Sequence, residues 1–339
     1  MERKTIEREY LFDNIKGMML FLVAFGHLLD VYASREMYNV EYSLMKYIYL
    51  FHMPMFSFVT GYFTKNLEKA RDSAVKKTLI PYLCFQGVYV LTAAIMIAVG
   101  AVSYNADVFN YSILLPSSAF YYLLAVFFWK LFAKDIMRLR YPVFVSVILG
   151  LLISLTRFSE FHCGYGAIFS LLVFFVLGMK CDKNAIVRIR ELPHSIAVFI
   201  LLLGIIPAVY FPYAIHSIRL NYVDEGFSNV EGMAWRLVYY MIAVVMGIAI
   251  INLTPGKRTF LSQVGKYSLL VYAGSTFLSP SGYILIEKLF NTSRFRMLNF
   301  GGMVLFCILI MFIMSQERIA KLYQIIESGI IKLLFKRSE

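Results

Sequence analysis

A histidine inside an apolar run is the first feature of this sequence that points to chemistry. The run MMLFLVAFGHLLDVYA carries His27 among residues suited to a lipid bilayer. Histidine has an unperturbed pKa of about 6.5, so a neutral imidazole that can act as a general base is present near neutral pH. An ionisable group within a membrane span is costly unless it faces protein or water, which indicates function. The alternatives are that His27 only packs through a hydrogen bond, and that Asp30 either fixes its tautomer or marks the outer interface.

Two further ionisable residues share a helix face with His27. A helix turns about 100° and rises about 1.5 Å per residue, so Lys16 and His27 differ by roughly 20° of rotation and about 16 Å of rise. Asp13 lies about 40° from His27 and about 60° from Lys16 on the same reckoning. We therefore predict a stripe of Asp13, Lys16 and His27 that runs from one rim of the membrane to its middle.

A second histidine is predicted at a similar depth in the next apolar segment, YLFHMPMFSFVTGYF. Pro54 frees the carbonyl four residues earlier, which predicts a bend near His52. Gly61 permits two helix backbones to approach closely at the other end of the segment. Two histidines at one depth on adjacent spans favour a functional cavity over two independent packing residues.

Two charged clusters lie in the connections between apolar segments. The segment LTRFSEFHCGYG predicts either a polar site that opens outward or an ordinary charged turn, and it contains Arg157, Glu160 and His162. The second cluster precedes TLIPYL and contains Arg71, Lys76 and Lys77. Cations near a helix end suit phosphates, although the placement of positive loop charges would put basic residues there in any case.

The elements that carry these residues are transmembrane helices. The chain has 339 residues, of which 60% are hydrophobic and 16% are charged, whereas a soluble domain has roughly a quarter charged residues. The composition and the recurring apolar stretches predict an all-α, polytopic integral membrane protein with about ten transmembrane helices. The predicted spans are 16–34, 42–63, 79–101, 113–132, 142–157, 165–180, 194–213, 234–252, 268–288 and 298–316.

The net charge of +12 follows the loops between these spans. Most basic residues fall in alternate connections, which predicts cytoplasmic N and C termini and argues against a nucleic-acid partner. We predict a transmembrane domain over residues 1–317 and a cytoplasmic amphipathic helix over 318–339, which lies on membrane lipids. Four cysteines at unrelated spacings predict neither a disulfide framework nor a metal site.

Several motifs resemble the successive signatures of the membrane-bound acyltransferase 3 family, in particular its branch similar to fucose 4-O-acetylases. They are FDNIKGMMLFLVAFGH, FHMPMFSFVTGYF, LTRFSEFHCGYGAIFSLLVFFVLGMK and GKYSLLVY. The resemblance implies about ten transmembrane helices and transfer of an acyl group, usually acetyl from cytosolic acetyl-CoA, to a hydroxyl of a cell-envelope carbohydrate. The family pattern has an Arg before the essential His of the first span, and Lys16 stands at that position here. A His common at the end of the last motif is replaced by Ala273, Gly274 and Ser275.

The resemblance and the stripe together give a site hypothesis. His27 and Asp13 are the predicted catalytic residues, and His27 acts as general base or acyl relay. The acetyl-CoA phosphates lie near Lys16 and the cluster of Arg71, Lys76 and Lys77. The acceptor, a lipid-linked sugar or exopolysaccharide, is bound by His52, Arg157, Glu160 and His162. No metal is involved.

This hypothesis places the protein in a bacterial cytoplasmic membrane as an acetyltransferase. One alternative is a transporter or flippase of polysaccharide or lipid-linked sugar, for which intramembrane histidines and prolines are equally natural. The inverted repeats of such transporters are not found in the sequence. Another is a membrane scaffold in which His27 merely packs.

Overall fold

The computed structural model describes residues 10–36, 39–100, 116–156, 164–212, 221–290 and 296–335. Within these ranges every regular element is helical, so the all-α prediction is confirmed for them. Helices suit an apolar chain because each backbone N–H and C=O is paired within its own segment.

The α-helices begin and end as follows, in chain order. The first nine are α1 (Tyr10–Glu36), α2 (Asn39–Tyr49), α3 (His52–Tyr62), α4 (Leu67–Ala74), α5 (Ile80–Ala98), α6 (Tyr121–Met137), α7 (Pro142–Leu152), α8 (Tyr165–Ser170) and α9 (Leu172–Lys180). The next eight are α10 (Lys183–Glu191), α11 (His194–Leu203), α12 (Ile205–Tyr210), α13 (Asn229–Leu253), α14 (Phe260–Lys266), α15 (Ser268–Phe290), α16 (Arg296–Met314) and α17 (Glu317–Leu334). A π-helical turn, Val75–Leu79, joins α4 to α5.

The chain divides into two compact units, each assembled from separate stretches. Unit 1 comprises Met1–Ile48, Lys183–Ala208 and Val245–Lys321. Unit 2 comprises Tyr49–Asp182, Val209–Val244 and Leu322–Glu339.

The core of unit 1 forms around α1, which packs against α14, α15 and α16. Ile15, Met19, Leu20, Leu28 and Leu29 are fully buried in this core. Helices within a bilayer gain little from the hydrophobic effect and associate mainly through close van der Waals packing. The depth of burial along α1 therefore indicates a tightly fitted central helix.

Unit 2 is built on the crossing of α3 and α9. A Cβ added to Gly61 would lie 1.9 Å from the Phe175 carbonyl oxygen, and one added to Gly178 would lie 2.0 Å from that of Phe58. The two glycines therefore let the backbones touch, as Gly61 predicted. Beside this crossing, Trp129 is buried and its indole N–H donates to the Ile168 carbonyl at 2.8 Å.

Four stretches in the described part of the chain are long and apolar enough to cross a membrane. They are Tyr10–Asp30, Leu67–Ala98, Asn229–Leu253 and Met297–Met314. Shorter apolar helices occupy Pro142–Leu155, His194–Tyr210 and Ser268–Ser279. A membrane protein with several apolar helices is thus supported, while the count of ten spans and the cytoplasmic termini stay predictions.

Some predicted spans are interrupted. The segment predicted as one span over 42–63 contains two helices, because α2 ends at Tyr49 and α3 begins at His52. Pro54 cannot donate to the Leu50 carbonyl and its ring crowds that oxygen, which explains the break. The predicted interfacial helix near the C terminus corresponds to α17, whose leucine and isoleucine side chains include exposed Leu322, Ile325 and Leu333.

Candidate functional site

The stripe predicted on the first span lies on one continuous helix in unit 1. Because α1 begins at Tyr10, the helical arithmetic for Asp13, Lys16 and His27 applies to the whole stripe. The Lys16 ammonium contacts the Asp13 carboxylate at 2.7 Å, and the Asp13 side chain is almost completely buried. The cation at this end of the stripe is therefore held by its own helix.

Asn14 fixes the segment before α14 against the first turns of α1. Its side-chain amide donates to the carbonyls of Pro255 at 2.7 Å and Lys257 at 2.9 Å. Its carboxamide oxygen accepts from the Thr259 hydroxyl at 2.6 Å, and Asn14 is fully buried. The Thr259 backbone N–H donates to the Ser262 hydroxyl at 2.9 Å, a bond that caps the start of α14. Sequence reasoning missed this anchor, although Asn14 stands inside the motif FDNIKG.

Two glycines bring α14 into backbone contact with α1 at the same level. A Cβ on Gly265 would lie 1.9 Å from the Asp13 carbonyl oxygen. A Cβ on Gly17 would lie 2.2 Å from the Leu261 carbonyl oxygen. Since neither approach leaves room for a methyl group, glycine at both positions determines how α14 lies against the Asp13–Lys16 pair.

Near the His27 end of the stripe, α1 packs against α16. His27 is half-buried, and the Phe25 ring meets the Phe300 ring edge-on with centroids 5.3 Å apart. Asn299, next to Phe300, is completely buried, and both polar atoms of its side chain lack a hydrogen-bond partner among the described residues. A buried amide without partners costs stability, which is unusual for a purely structural residue. Asn299 is the second residue, after Asn14, that sequence reasoning missed. Its signal is an amide within the apolar segment RMLNFGGMVLF.

The second histidine lies at the start of α3 in unit 2. His52 is buried, and its ring centroid is 5.0 Å from that of Tyr49. Further along α3, the hydroxyls of Thr60 and Tyr122 lie 2.8 Å apart in a hydrogen bond. The helix α3 thus carries a buried histidine at its start and a bonded hydroxyl pair about two turns later.

The predicted phosphate cluster also belongs to unit 2. Arg71 forms an ion pair of 2.9 Å with Asp135, so its charge is already offset. Lys76 and Lys77 lie in the π-helical turn, where Pro81 cannot donate to the Lys77 carbonyl. The Lys76 ammonium lies 4.8 Å from the Phe335 ring centre. The proposed phosphate ligands are thus divided between the units, Lys16 in the first and the other three in the second.

Lys65 stabilises the end of α9 next to this cluster. Its ammonium donates to the carbonyls of Gly178 at 3.1 Å, Met179 at 2.8 Å and Cys181 at 2.6 Å. Burial lowers the pKa of Lys65, while the nearby Cys181 and Asp182 oppose that shift. The last carbonyls of a helix attract cations, so this contact has a structural purpose.

Unit 2 contains a buried arginine, Arg236, which bonds to Ser154 and Ser170. These two serines stand before and after the predicted outward segment in the sequence. Arg157, Glu160 and His162 themselves lie outside the described residues. Arg236, only 3% exposed, donates to the Ser170 hydroxyl and, at 3.3 Å, to that of Ser154. Its guanidinium carbon lies 5.6 Å from the Tyr222 ring centre. Sequence reasoning did not single out Arg236, whose signal is a charge inside the apolar segment MAWRLVYYMIAVV.

Comparison with known proteins identifies the family. A family model described as "Acyltransferase domain" matches residues 9–316. The chain is also 38% identical over 84 residues to the nodulation protein NolL of Sinorhizobium fredii, a match that spans 22% of this chain and 23% of that protein. No solved structure matches the chain. Because the family match extends over nearly the whole sequence and includes both helices of the Asp13–Lys16 site, this chain belongs to the acyltransferase 3 family.

Proposed function

We propose that the protein is an O-acetyltransferase that moves an acetyl group from cytosolic acetyl-CoA to a hydroxyl of a cell-envelope carbohydrate. The acceptor that we propose is a lipid-linked sugar or an exopolysaccharide. The observation that carries this proposal is the single helix α1, which holds Lys16 and His27 on one face of an acyltransferase.

His27 supplies the proton transfer that acetylation needs. As general base, its neutral imidazole removes the acceptor hydroxyl proton while the oxygen attacks the thioester carbonyl. The carbon–sulfur bond then breaks, and the proton passes from the imidazolium to the departing thiolate. As acyl relay, the imidazole attacks the thioester carbonyl, the carbon–sulfur bond breaks, and coenzyme A leaves as the thiol with the imidazole N–H proton. The acceptor oxygen then attacks the acetyl-imidazole, the carbon–nitrogen bond breaks, and the hydroxyl proton returns to the imidazole.

Asp13 acts through Lys16 rather than through His27. The rise from Asp13 to His27 is about 21 Å, which is too far for contact between their side chains. Asp13 is therefore a positioning residue that holds the Lys16 ammonium at 2.7 Å. Lys16 in turn lies about 16 Å from His27, a separation that suits an extended pantetheine arm between a phosphate and a thioester.

We assign the acceptor to His52 of the second predicted span and to the outward segment predicted between the spans 142–157 and 165–180. His52 starts α3 directly after the helix break and is buried, as a residue that lines an internal path would be. Arg157, Glu160 and His162 complete the proposed acceptor site. Polar groups of this kind can bind sugar hydroxyls through directed hydrogen bonds.

The proposal is tested by His27→Ala in the full chain, with acetylation followed by mass spectrometry of envelope glycans. We expect the variant to fold, as judged by yield and thermal stability, and to lose the mass of one acetyl group from the glycan. Normal acetylation by a folded His27→Ala protein would exclude the catalytic assignment. Transport of an unmodified glycan by the wild type would instead identify the flippase alternative.

The donor side is tested at Lys16. Lys16→Arg keeps the positive charge and restores the residue type of the family pattern, so we expect activity to be preserved or improved. Lys16→Glu places a second carboxylate beside Asp13 and is expected to abolish activity. Normal dependence on acetyl-CoA in the Glu variant would remove Lys16 from the donor site.

A further inference from the structure

A cavity of about 310 Å³ lies in unit 1 where α1 begins. Three parts of the chain line it: Tyr10 from α1, the α14 region, and Glu317 at the start of α17. The α14 region contributes Arg258, Lys266 and Tyr267. None of the charged residues of this cavity belongs to the site predicted from the sequence.

The cavity carries an excess of positive charge. Within the part of the chain that the structure describes, neither Arg258 nor Lys266 forms an ion pair with a carboxylate. Glu317, the one carboxylate among the described lining residues, pairs with Lys321 at 3.0 Å. This partner, with a smaller contribution from the Lys266 charge, holds the pKa of Glu317 below its usual range. Glu317 is therefore ionised and already compensated, which leaves two cations available to an anionic ligand.

Aromatic rings stand beside these cations. The rings of Tyr10 and Tyr267 both line the cavity, and the Lys266 ammonium lies 4.9 Å from the Tyr267 ring centre. A guanidinium and an ammonium bind phosphate oxygens through charge-assisted hydrogen bonds. Aromatic side chains add a surface on which a planar base can stack. Loop topology alone explains basic residues, but not their convergence with two rings around a cavity.

The position of the cavity relates it to the stripe on α1. Tyr10 precedes Lys16 by about 9 Å of helix rise and precedes His27 by about 25 Å. A ligand with phosphates in the cavity and a reacting group at His27 must therefore be long and must extend along α1 past the Asp13–Lys16 pair. A phosphorylated nucleotide that carries an extended arm has this shape.

We infer that this cavity binds the phosphate-bearing nucleotide end of the acyl donor, with Arg258 and Lys266 holding its phosphate oxygens. The inference rests on the proposed function, since it assumes a donor of the acyl-CoA class. It assigns to unit 1 the phosphate contacts that the sequence predicted for Arg71, Lys76 and Lys77. Donor cations and His27 then belong to the same compact unit.

The test measures binding rather than activity. The full chain, in nanodiscs of neutral phosphatidylcholine at low salt, is titrated calorimetrically with coenzyme A and separately with adenosine 3′,5′-bisphosphate. We expect Arg258→Glu and Lys266→Glu each to weaken binding of both probes by about tenfold or more, because each loses a charge-assisted contact and gains repulsion. Raising the salt concentration should reduce wild-type affinity and narrow these differences.

Two further variants serve as controls for charge and folding. Lys288→Glu makes the same kind of charge change on an exposed lysine near the far end of α15, about 30 Å of helix rise from Ser268, and should leave affinity unchanged. Glu317→Gln removes the only carboxylate of the described cavity lining and should tighten binding about two- to threefold. A gain of affinity cannot arise from misfolding.

The outcomes separate this inference from the proposed function. Unchanged coenzyme A affinity in both charge-reversal variants, with normal acetylation by the wild type, would overturn the inference and leave the function intact. The inference would also be overturned if the variants kept their coenzyme A affinity but lost bound phosphatidylglycerol, measured by native mass spectrometry from anionic nanodiscs. The cavity would then hold a lipid headgroup. A wild type that binds neither probe would overturn the acyl-CoA donor itself.

Discussion

Substitution of Gly265 by Ala tests the contact that positions the Asp13–Lys16 end of the stripe. The added Cβ would lie 1.9 Å from the Asp13 carbonyl oxygen, while real Cβ atoms essentially never approach closer than 3.0 Å. The helix α14 must therefore move away from α1 by about 1.1 Å, since the obstructing atom belongs to rigid backbone. A shift of this size affects every bond between the two segments.

The energetic cost follows from that movement. If the segment before α14 moves with it, the Asn14 bonds of 2.7 and 2.9 Å lengthen beyond hydrogen-bond range. Each lost bond costs about 0.5–1.5 kcal/mol, and the residual overpacking costs about 1–3 kcal/mol. We expect Gly265→Ala to reduce the free energy of unfolding by about 3 kcal/mol.

Reversible unfolding in mixed detergent micelles measures this change. Gly301→Ala is the matched control, because Gly301 lies in α16 of the same unit and no atom lies within 4 Å of its added Cβ. Alanine is favoured over glycine in a helix by about 1 kcal/mol, so the control should be neutral or slightly stabilising. Equal unfolding free energies for the two variants would refute the close approach of α14 to α1.

Three further substitutions probe buried contacts by the same unfolding measurement. Asn299→Leu should leave stability unchanged or raise it by about 1 kcal/mol, because it removes an amide without described partners; a large loss would show that the amide is bonded. Lys65→Met should cost about 1–3 kcal/mol and increase hydrogen exchange at the end of α9. The Lys69 ammonium makes no described contact, so Lys69→Met should change neither stability nor exchange. Arg236→Met should cost about 2–4 kcal/mol through loss of the Ser154 and Ser170 bonds, and retention of full stability would contradict the buried hydroxyl cluster.

Local patterns in the sequence predicted the parts of the site that depend on one helix. The face shared by Asp13, Lys16 and His27 follows from helical periodicity, and α1 is continuous over all three. The helix break before His52 and the close approach at Gly61 follow equally from single residues, a proline and a glycine. The stripe and the helix break are determined within a few turns of one chain segment, whereas Gly61 indicates only that another helix can approach and not that this helix is α9.

The contacts that sequence reasoning missed join residues far apart in the chain. Asn14 is separated from Pro255 by 241 residues, and no local pattern indicates that an amide in the first span will bond the segment before α14. Arg236 meets Ser170 and Ser154 through tertiary packing in the same way. The grouping of Lys16 with Arg71, Lys76 and Lys77 stays a prediction, because it rests on charge alone and the residues belong to different units.

The Asp13–Lys16 pair changes which cations should dominate donor binding. A lysine held 2.7 Å from a carboxylate presents little net charge to an approaching phosphate, because the two opposite charges largely cancel at longer range. Arg258 and Lys266 have no such partner in the described chain and are exposed at the cavity. In the coenzyme A titration, removing the whole pair with the double variant Asp13→Asn/Lys16→Met changes no net charge and should therefore weaken binding less than Arg258→Met or Lys266→Met. The reverse order would return the phosphate contacts to Lys16 and leave the cavity without a role in donor recognition.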